Sequence, residues 1–298
     1  MMTGLRQSHD PRHGRAWAVA VESAIVCYVS RLVILSAVVG LMAGCAASLE
    51  NNSLPDVGEI RPGVMKGYLE PTYLPDSLVL IPSVPKANSA TMARDEVASE
   101  KSLALHGTKR WELAIKDARL EFPEAADTFS CVMGIPINEQ ETPQIFRLLR
   151  RTQTDARLST YRAKDSYHRV RPFVRNGQPT CTPDKEAMLR ENGSYPSGHS
   201  ALGWASALTL AEIDPDHATQ ILARGRAFGE SRVVCNVHWY SDIMWGRFMG
   251  AGTVARLHAD PEYRKAVEAA EAELKSVRKK GLSPAIDCHF EEEALSDM

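Results

Sequence analysis

The stretch Gly193–Trp204, GSYPSGHSALGW, is a loop that runs into a helix, and the rest of the chain is arranged about it. Pro196 ends one local conformation and Ser197 is a natural N-cap. Gly198 removes the side chain at the point of closest approach, and an apolar run begins at Ala201. A helix start presents unpaired N–H groups and a partial positive charge, which together favour an anion. His199 sits at that mouth.

The residues that follow, Ser200–Ile213, are apolar on nearly every face (Ala201, Leu202, Trp204, Ala205, Leu208, Leu210, Ile213) and stop at Asp214-Pro215. An element apolar all round is a buried central helix. Outward from it, helical spacing predicts helices over 216–229, 239–258 and a charged 262–280 on the C-terminal side. Gly246, Gly250, Ala251 and Gly252 suit close helix–helix approach. On the N-terminal side the same spacing predicts helices over 92–121, 124–134 and 141–163. In 141–163, Ile145, Leu148, Leu149, Ala156 and Leu158 face inward, and Arg147, Arg150 and Arg151 outward. Residues 172–184 have loop composition, and 185–191 form a short helix. No alternating run demands a sheet, so the expected fold is all-α, a single-domain helical bundle around the helix at about 200–213.

The chain has 298 residues, 44% of them hydrophobic, enough for a substantial core; net charge is −2 and no basic stripe marks a nucleic-acid partner. Arg31-LVILSAVVGLMAG-Cys45 has the positive residue, apolar stretch and small residues of an export signal. Its end, Leu41-Met-Ala-Gly-Cys45, resembles a bacterial lipoprotein signal, which implies cleavage before Cys45 and lipid on its sulfur. Plain secretory cleavage, an uncleaved anchor helix and a translation start near Val29 are the alternatives. Segments are therefore expected at 1–45 (extension and signal), 46–67 (flexible tether), 68–280 (catalytic domain) and 281–298 (tail). Any membrane contact would run through the lipid. Setting aside Cys27 and Cys45 leaves Cys131, Cys181, Cys235 and Cys288 in an oxidising compartment, with no Cys-x-x-Cys zinc spacing. Cys181 and Cys235 each neighbour a motif, which favours their pairing; Cys131 and Cys288 then pair or stay free thiols.

Three segments carry the chemistry: Lys164-DSYHRV-Arg171-Pro172, Tyr195-Pro-Ser197-Gly198-His199, and Ser231-Arg232-VVCNV-His238-WYS-Asp242. Each alone has an ordinary structural explanation; together and in this order they describe one pocket. Lys164, Arg171 and Arg232 as cations, with the Ser197 hydroxyl and Gly198 N–H, match a tetrahedral dianion. Asp242, four residues after His238, can hold one imidazole nitrogen and leave the other free to attack. His199 then faces the leaving group. The remaining histidines are read as structural or surface residues.

These segments resemble the tripartite signature of the type 2 phosphatidic-acid phosphatase superfamily: Lys-(six)-Arg-Pro, Pro-Ser-Gly-His, and Ser-Arg-(five)-His-(three)-Asp. More narrowly, the wording from Tyr68 to Ala270 is similar to the class A bacterial non-specific acid phosphatases, as in YLPDSLVLIP at 73–82, AKDSYHRVRPF at 163–173 and SRVVCNVHWYSD at 231–242. The resemblance implies an exported acid phosphatase that needs no metal or cofactor. It hydrolyses phosphomonoesters broadly through a phosphohistidine, with an acidic optimum, a phosphotransferase side activity and a homo-oligomeric state. It assigns His238 as nucleophile, Asp242 as its orienting partner and His199 as proton donor. Lys164, Arg171, Ser197, Gly198 and Arg232 become phosphate ligands. Three rivals are a vanadium-dependent haloperoxidase, a membrane-lipid phosphatase and a non-catalytic phosphate-binding lipoprotein. The first is disfavoured by length and wording, the second by the missing spans, and the third because binding alone needs no paired histidines.

Overall fold

A computed structural model describes residues 54–122 and 124–296. The expected export signal, Cys27 and Cys45 lie outside the described residues. The described chain opens on a small antiparallel hairpin, β1 (Glu59–Arg61) and β2 (Val64–Met65), with Arg61 opposite Val64. Helices follow in the order α1 (Ser77–Leu80), α2 (Ala90–Leu103), α3 (Lys109–Asp117), α4 (Ser130–Met133), α5 (Pro143–Leu158), α6 (Tyr161–Tyr167) and α7 (Pro172–Asn176). Then come α8 (Glu186–Glu191), α9 (Gly198–Ile213), α10 (Ala218–Val234), α11 (Tyr240–Leu257), α12 (Pro261–Lys280) and α13 (Cys288–Ser296). The fold is all-α, as expected, with the hairpin as its one departure.

Helix α9 is the centre. Ala201, Ala205, Ala207 and Leu210 are completely buried, and α5, α10 and α11 pack around it. Its Ser197 cap accepts from the Ser200 N–H at 3.2 Å, so the N-terminus falls where the sequence puts it. Helix α11 crosses the first half of α9 nearly backbone to backbone. A Cβ at Gly246 would lie 2.4 Å from the Ser197 carbonyl oxygen, and one at Gly250 2.4 Å from that of Ala201. Gly252, expected to share this role, faces Leu80 at an ordinary 3.7 Å.

Several long predicted helices are interrupted. The 92–121 helix is two, because Gly107 takes a positive φ and Thr108 caps a new start at Lys109, its hydroxyl accepting from the Trp111 N–H. The 141–163 helix breaks at Ser159-Thr160, whose hydroxyls donate to the carbonyls of Ala156 and Arg157. The 124–134 segment is a 3₁₀ turn (Glu124–Phe129) followed by α4, and the 172–184 loop begins with α7.

Arg151, expected to face outward, is buried. Its guanidinium donates to the Lys66 and Gly67 carbonyls, pairs with Glu262 and lies 3.8 Å over the Tyr68 ring. Thr154 donates to the Met65 carbonyl, and the Asp155 carboxylate accepts from the Tyr68 and Leu69 N–H groups. The end of the expected tether, residues 65–67, is therefore docked on α5. The expected tail also folds back: α13 lies against α3, and Cys131–Cys288 (Cα–Cα 5.4 Å) ties it to α4. The second bridge joins Cys181 to Cys235 (Cα–Cα 4.8 Å). Among the described residues no helix is long and apolar enough to cross a membrane.

Candidate active site

Lys164 projects from α6, a short helix that His168 ends in a left-handed conformation (φ 42). The chain then runs extended through Arg169 to Arg171, which caps α7 with Pro172 at its first position. Arg232 is in the last turn of α10. A turn containing Asn236 (φ 58) carries His238 across to α11, whose first turn holds Asp242. The loop 192–197, with a cis Tyr195–Pro196 bond, brings the α9 N-terminus to the same place. One carbonyl gathers the first two cations: Gly193 O accepts from Lys164 Nζ at 2.8 Å and from Arg171 Nη2 at 3.2 Å. A Cβ at Gly193 would lie 2.7 Å from the Lys164 carbonyl oxygen, so only glycine fits.

His238 sits between its two partners. Nδ1 is 3.3 Å from Asp242 Oδ2, and Nε2 is 3.2 Å from Arg171 Nη1. A carboxylate is only an acceptor, so Nδ1 carries the proton and Nε2 holds the lone pair. Asp242 Oδ2 also accepts from the Trp239 N–H at 2.8 Å, which fixes the turn. His199 Nε2 lies 3.3 Å from the Ala118 carbonyl oxygen. That acceptor sets the opposite tautomer, leaving Nδ1 of His199 as the nitrogen free to exchange a proton. Ser197 Oγ accepts from Ser200 Oγ at 3.0 Å, so its own proton is available for donation; Ser197 N–H donates to the Asp242 carbonyl.

Lys164, Arg171 and Arg232 are each about 95% buried or more, and none of them forms an ion pair among the described residues. Burial, then the neighbouring Arg171 charge, brings the Lys164 ammonium down to about 7. Burial lowers Arg171 to about 10; burial and Arg171 lower Arg232 to about 9. Both histidines are held well below the usual imidazole range. For His238 the causes are burial, then Arg171 and Lys164; for His199, burial, then Arg232 and His238. Each group thus feels the others, as expected of one cluster. Arg232 Nε is buried with no hydrogen-bond partner among the described residues. A dianion in this cage would relieve the repulsion and accept from the spare donors.

All eight expected site residues therefore converge. Sequence reasoning missed Arg169, which is buried between two carboxylates, Asp242 Oδ1 at 2.5 Å and Asp95 Oδ2 at 2.7 Å. Asp95 in turn accepts from the Ser241 N–H and hydroxyl. Arg169 thus positions Asp242, and through it His238. Its signal was its place two residues before Arg171; Asp95, on a distant helix, gave none. The other described histidines stay outside: His217 pairs with Asp214, His258 with Glu212, and His289 is exposed.

The chain matches the family described as the PAP2 superfamily over residues 156–266, the span from α5 to α12 that contains all eight site residues. It is 43% identical to the non-specific acid phosphatase of Providencia stuartii over 213 residues, 71% of this chain and 86% of that one. It is 37% identical to the acid phosphatase of Zymomonas mobilis over 220 residues (74% and 83%), and 38% identical to the non-specific acid phosphatase of Salmonella typhimurium over 211 (69% and 84%). Fold, residue cluster and relatives agree: the chain belongs to the PAP2 superfamily and, within it, to the non-specific acid phosphatases.

Proposed function

We propose that this acid phosphatase hydrolyses phosphomonoesters in two in-line displacements at His238, without a metal ion. The observation that carries the reading is the Asp242–His238–Arg171 line, which presents the Nε2 lone pair to the cation cage. The ester phosphate binds against Lys164, Arg171, Arg232, Ser197 and Gly198. Nε2 forms the P–N bond as the P–O bond to the alcohol breaks, and His199 gives its proton to the departing oxygen. Water then loses a proton to His199 and attacks phosphorus; the P–N bond breaks and inorganic phosphate leaves with His238 neutral again. Asp242 stabilises the imidazolium-like phosphohistidine, and the cations stabilise the equatorial oxygens, where positioning and charge supply most of the acceleration. A cage built of cations supports the metal-free reading, because it repels a divalent ion as strongly as it attracts phosphate. An alcohol that competes with water at the second step would give phosphotransfer.

The test is rapid quenching with a ³²P-labelled aryl phosphate in the presence of EDTA. We expect label on His238 that is acid-labile and base-stable, and its absence in His238→Ala with turnover reduced at least about 10⁴-fold. Loss of activity with EDTA, or full turnover in the variant, contradicts the mechanism. Export with a lipid anchor on Cys45 is proposed on the signal-like sequence 31–45. Radiolabelled palmitate should enter the wild-type chain and not Cys45→Ser. The homo-oligomeric state is proposed on resemblance alone, to be read by light scattering.

A further inference from the structure

The alcohol leaves on the His199 side, and among the described residues a cavity lies near it. It lies between the β1–β2 hairpin, the segment after α3 and the C-terminal half of α5. The inner part is about 110 Å³ and opens into a groove of about 590 Å³, large enough for an aryl-sized group. None of the eight site residues lines it, but three of its lining residues are neighbours of the site. Leu202, on its wall, is three residues after His199 in α9; Leu120, also on its wall and packed against the cluster that contains Leu202, is two residues after Ala118, whose carbonyl meets His199. The Arg157 side chain lines the cavity and also borders the site: its Cγ lies 3.9 Å from where a Cβ on Gly198 would be, and its charge is felt by both His199 and Lys164.

The chemistry of the inner wall is unusual for a pocket that would take any alcohol. It carries Arg61, Arg150 and Arg157, apolar surface from Leu120, Phe122 and Leu202, and no carboxylate. Arg157 Nε donates to the neutral Tyr161 hydroxyl at 2.9 Å. Arg150 is held by the Gly63 carbonyl at 3.1 Å and lies 5.3 Å over the Phe122 ring; its carboxylate neighbour, Glu59, is half-exposed at 3.5 Å. Neither Arg61 nor Arg157 forms an ion pair among the described residues. Glu121 and Glu139 lie only in the outer groove, and Glu121 is paired with Lys185. Arg61, Arg150 and Arg157 line the groove as well, so cationic side chains continue from the inner wall outward, and the two carboxylates join them only there.

We infer that this cavity is the leaving-group pocket, and that it selects phosphomonoesters whose alcohol is a flat apolar ring bearing a second anionic group. The ring would lie against Leu120, Phe122 and Leu202, and the second anion against the arginines, while the ester phosphate occupies the cage. This rests on the phosphatase reading above and names the substrate class for the same site.

The test compares two esters of equal shape, 4-carboxyphenyl phosphate and its neutral isostere 4-carbamoylphenyl phosphate, by kcat/KM at low salt. The expected preference for the carboxylate is about tenfold, decreasing as salt screens the arginines. It should collapse toward parity in Arg61→Gln, an exposed hairpin substitution. A wild-type ratio at or below one, a salt-insensitive ratio, or an unchanged ratio in Arg61→Gln overturns the inference while the phosphatase reading stands. Failure to hydrolyse either ester overturns both. The salt series needs only the wild-type chain, so a poorly folding variant does not shield the idea.

Discussion

Helix α10 buries two arginines two turns apart, and they live opposite lives. Arg224 bonds Asp117 through both terminal nitrogens, at 2.5 and 3.3 Å, and Glu291 through Nε at 3.0 Å. Those carboxylates outweigh its burial and push its pKa up. Arg232 is as deeply buried and has no carboxylate of its own: burial and Arg171 push it down to about 9, and its Nε has no partner among the described residues. A paired buried charge is structural, because its desolvation cost is offset inside the protein. An unpaired buried charge stores that cost until an anion arrives. The contrast separates the cluster that fastens α13 and α3 to α10 from the cation cage proposed to bind phosphate.

The comparison can be broken in three places. The largest effect is expected from Arg232→Met, which should reduce kcat/KM for an aryl phosphate by about 10³-fold. Its thermal midpoint should stay the same or rise by about 5 °C, since a repelled charge is replaced by packing. A clear fall in the midpoint, by calorimetry, would show that Arg232 is structural after all. Next is Arg224→Met, which leaves Asp117 and Glu291 without their partner. It should destabilise by about 3–5 kcal/mol and lower the midpoint by about 10 °C, with kcat of the folded enzyme within about threefold of wild type. A large loss of kcat at full folding would erase the distinction.

The smallest effect is the most specific. Lys164, lowered to about 7 by burial and Arg171, is charged below that pH and neutral above it. In the proposed mechanism His199 must carry a proton and loses it as pH rises, whereas His238 must be neutral and, with its pKa held low, stays so into the acid range. All three place the optimum below neutrality. KM should rise by about tenfold per pH unit above roughly 7 as the ammonium discharges. A KM flat to pH 9 would mean that Lys164 keeps its charge and that the cage is less repulsive than its burial implies.

The same folding-state logic gives the stability trend. Both histidines bind protons more readily unfolded than folded, so stability is lost as pH falls through the unfolded value of about 6.5. Bound phosphate opposes this by supplying the missing counter-charge.

The central helix, its Ser197 cap and its stop at Asp214-Pro215 were legible because one helix buried on every side has a local signature. That the eight residues would gather in one place was legible because their types and intervals suit the chemistry of a dianion. The breaks at Gly107 and Ser159-Thr160 were harder to see, since helical periodicity runs through a short interruption. Arg151 was misplaced for a related reason: composition puts an arginine outside, and only the docked carbonyls of Lys66 and Gly67 give it cause to turn inward.

The chain alone therefore determined an all-helical fold and the residues of a candidate phosphate site, because helix periodicity and the donors that a phosphate demands are written in nearby residues. Only the tertiary structure decided which buried arginine is paired and which is not, that Asp95 and Arg169 fix Asp242, and that Arg61, Arg150 and Arg157 line one cavity. Those outcomes depend on charges brought together from distant segments, and Coulomb's law acts on separation in space, which sequence distance does not record.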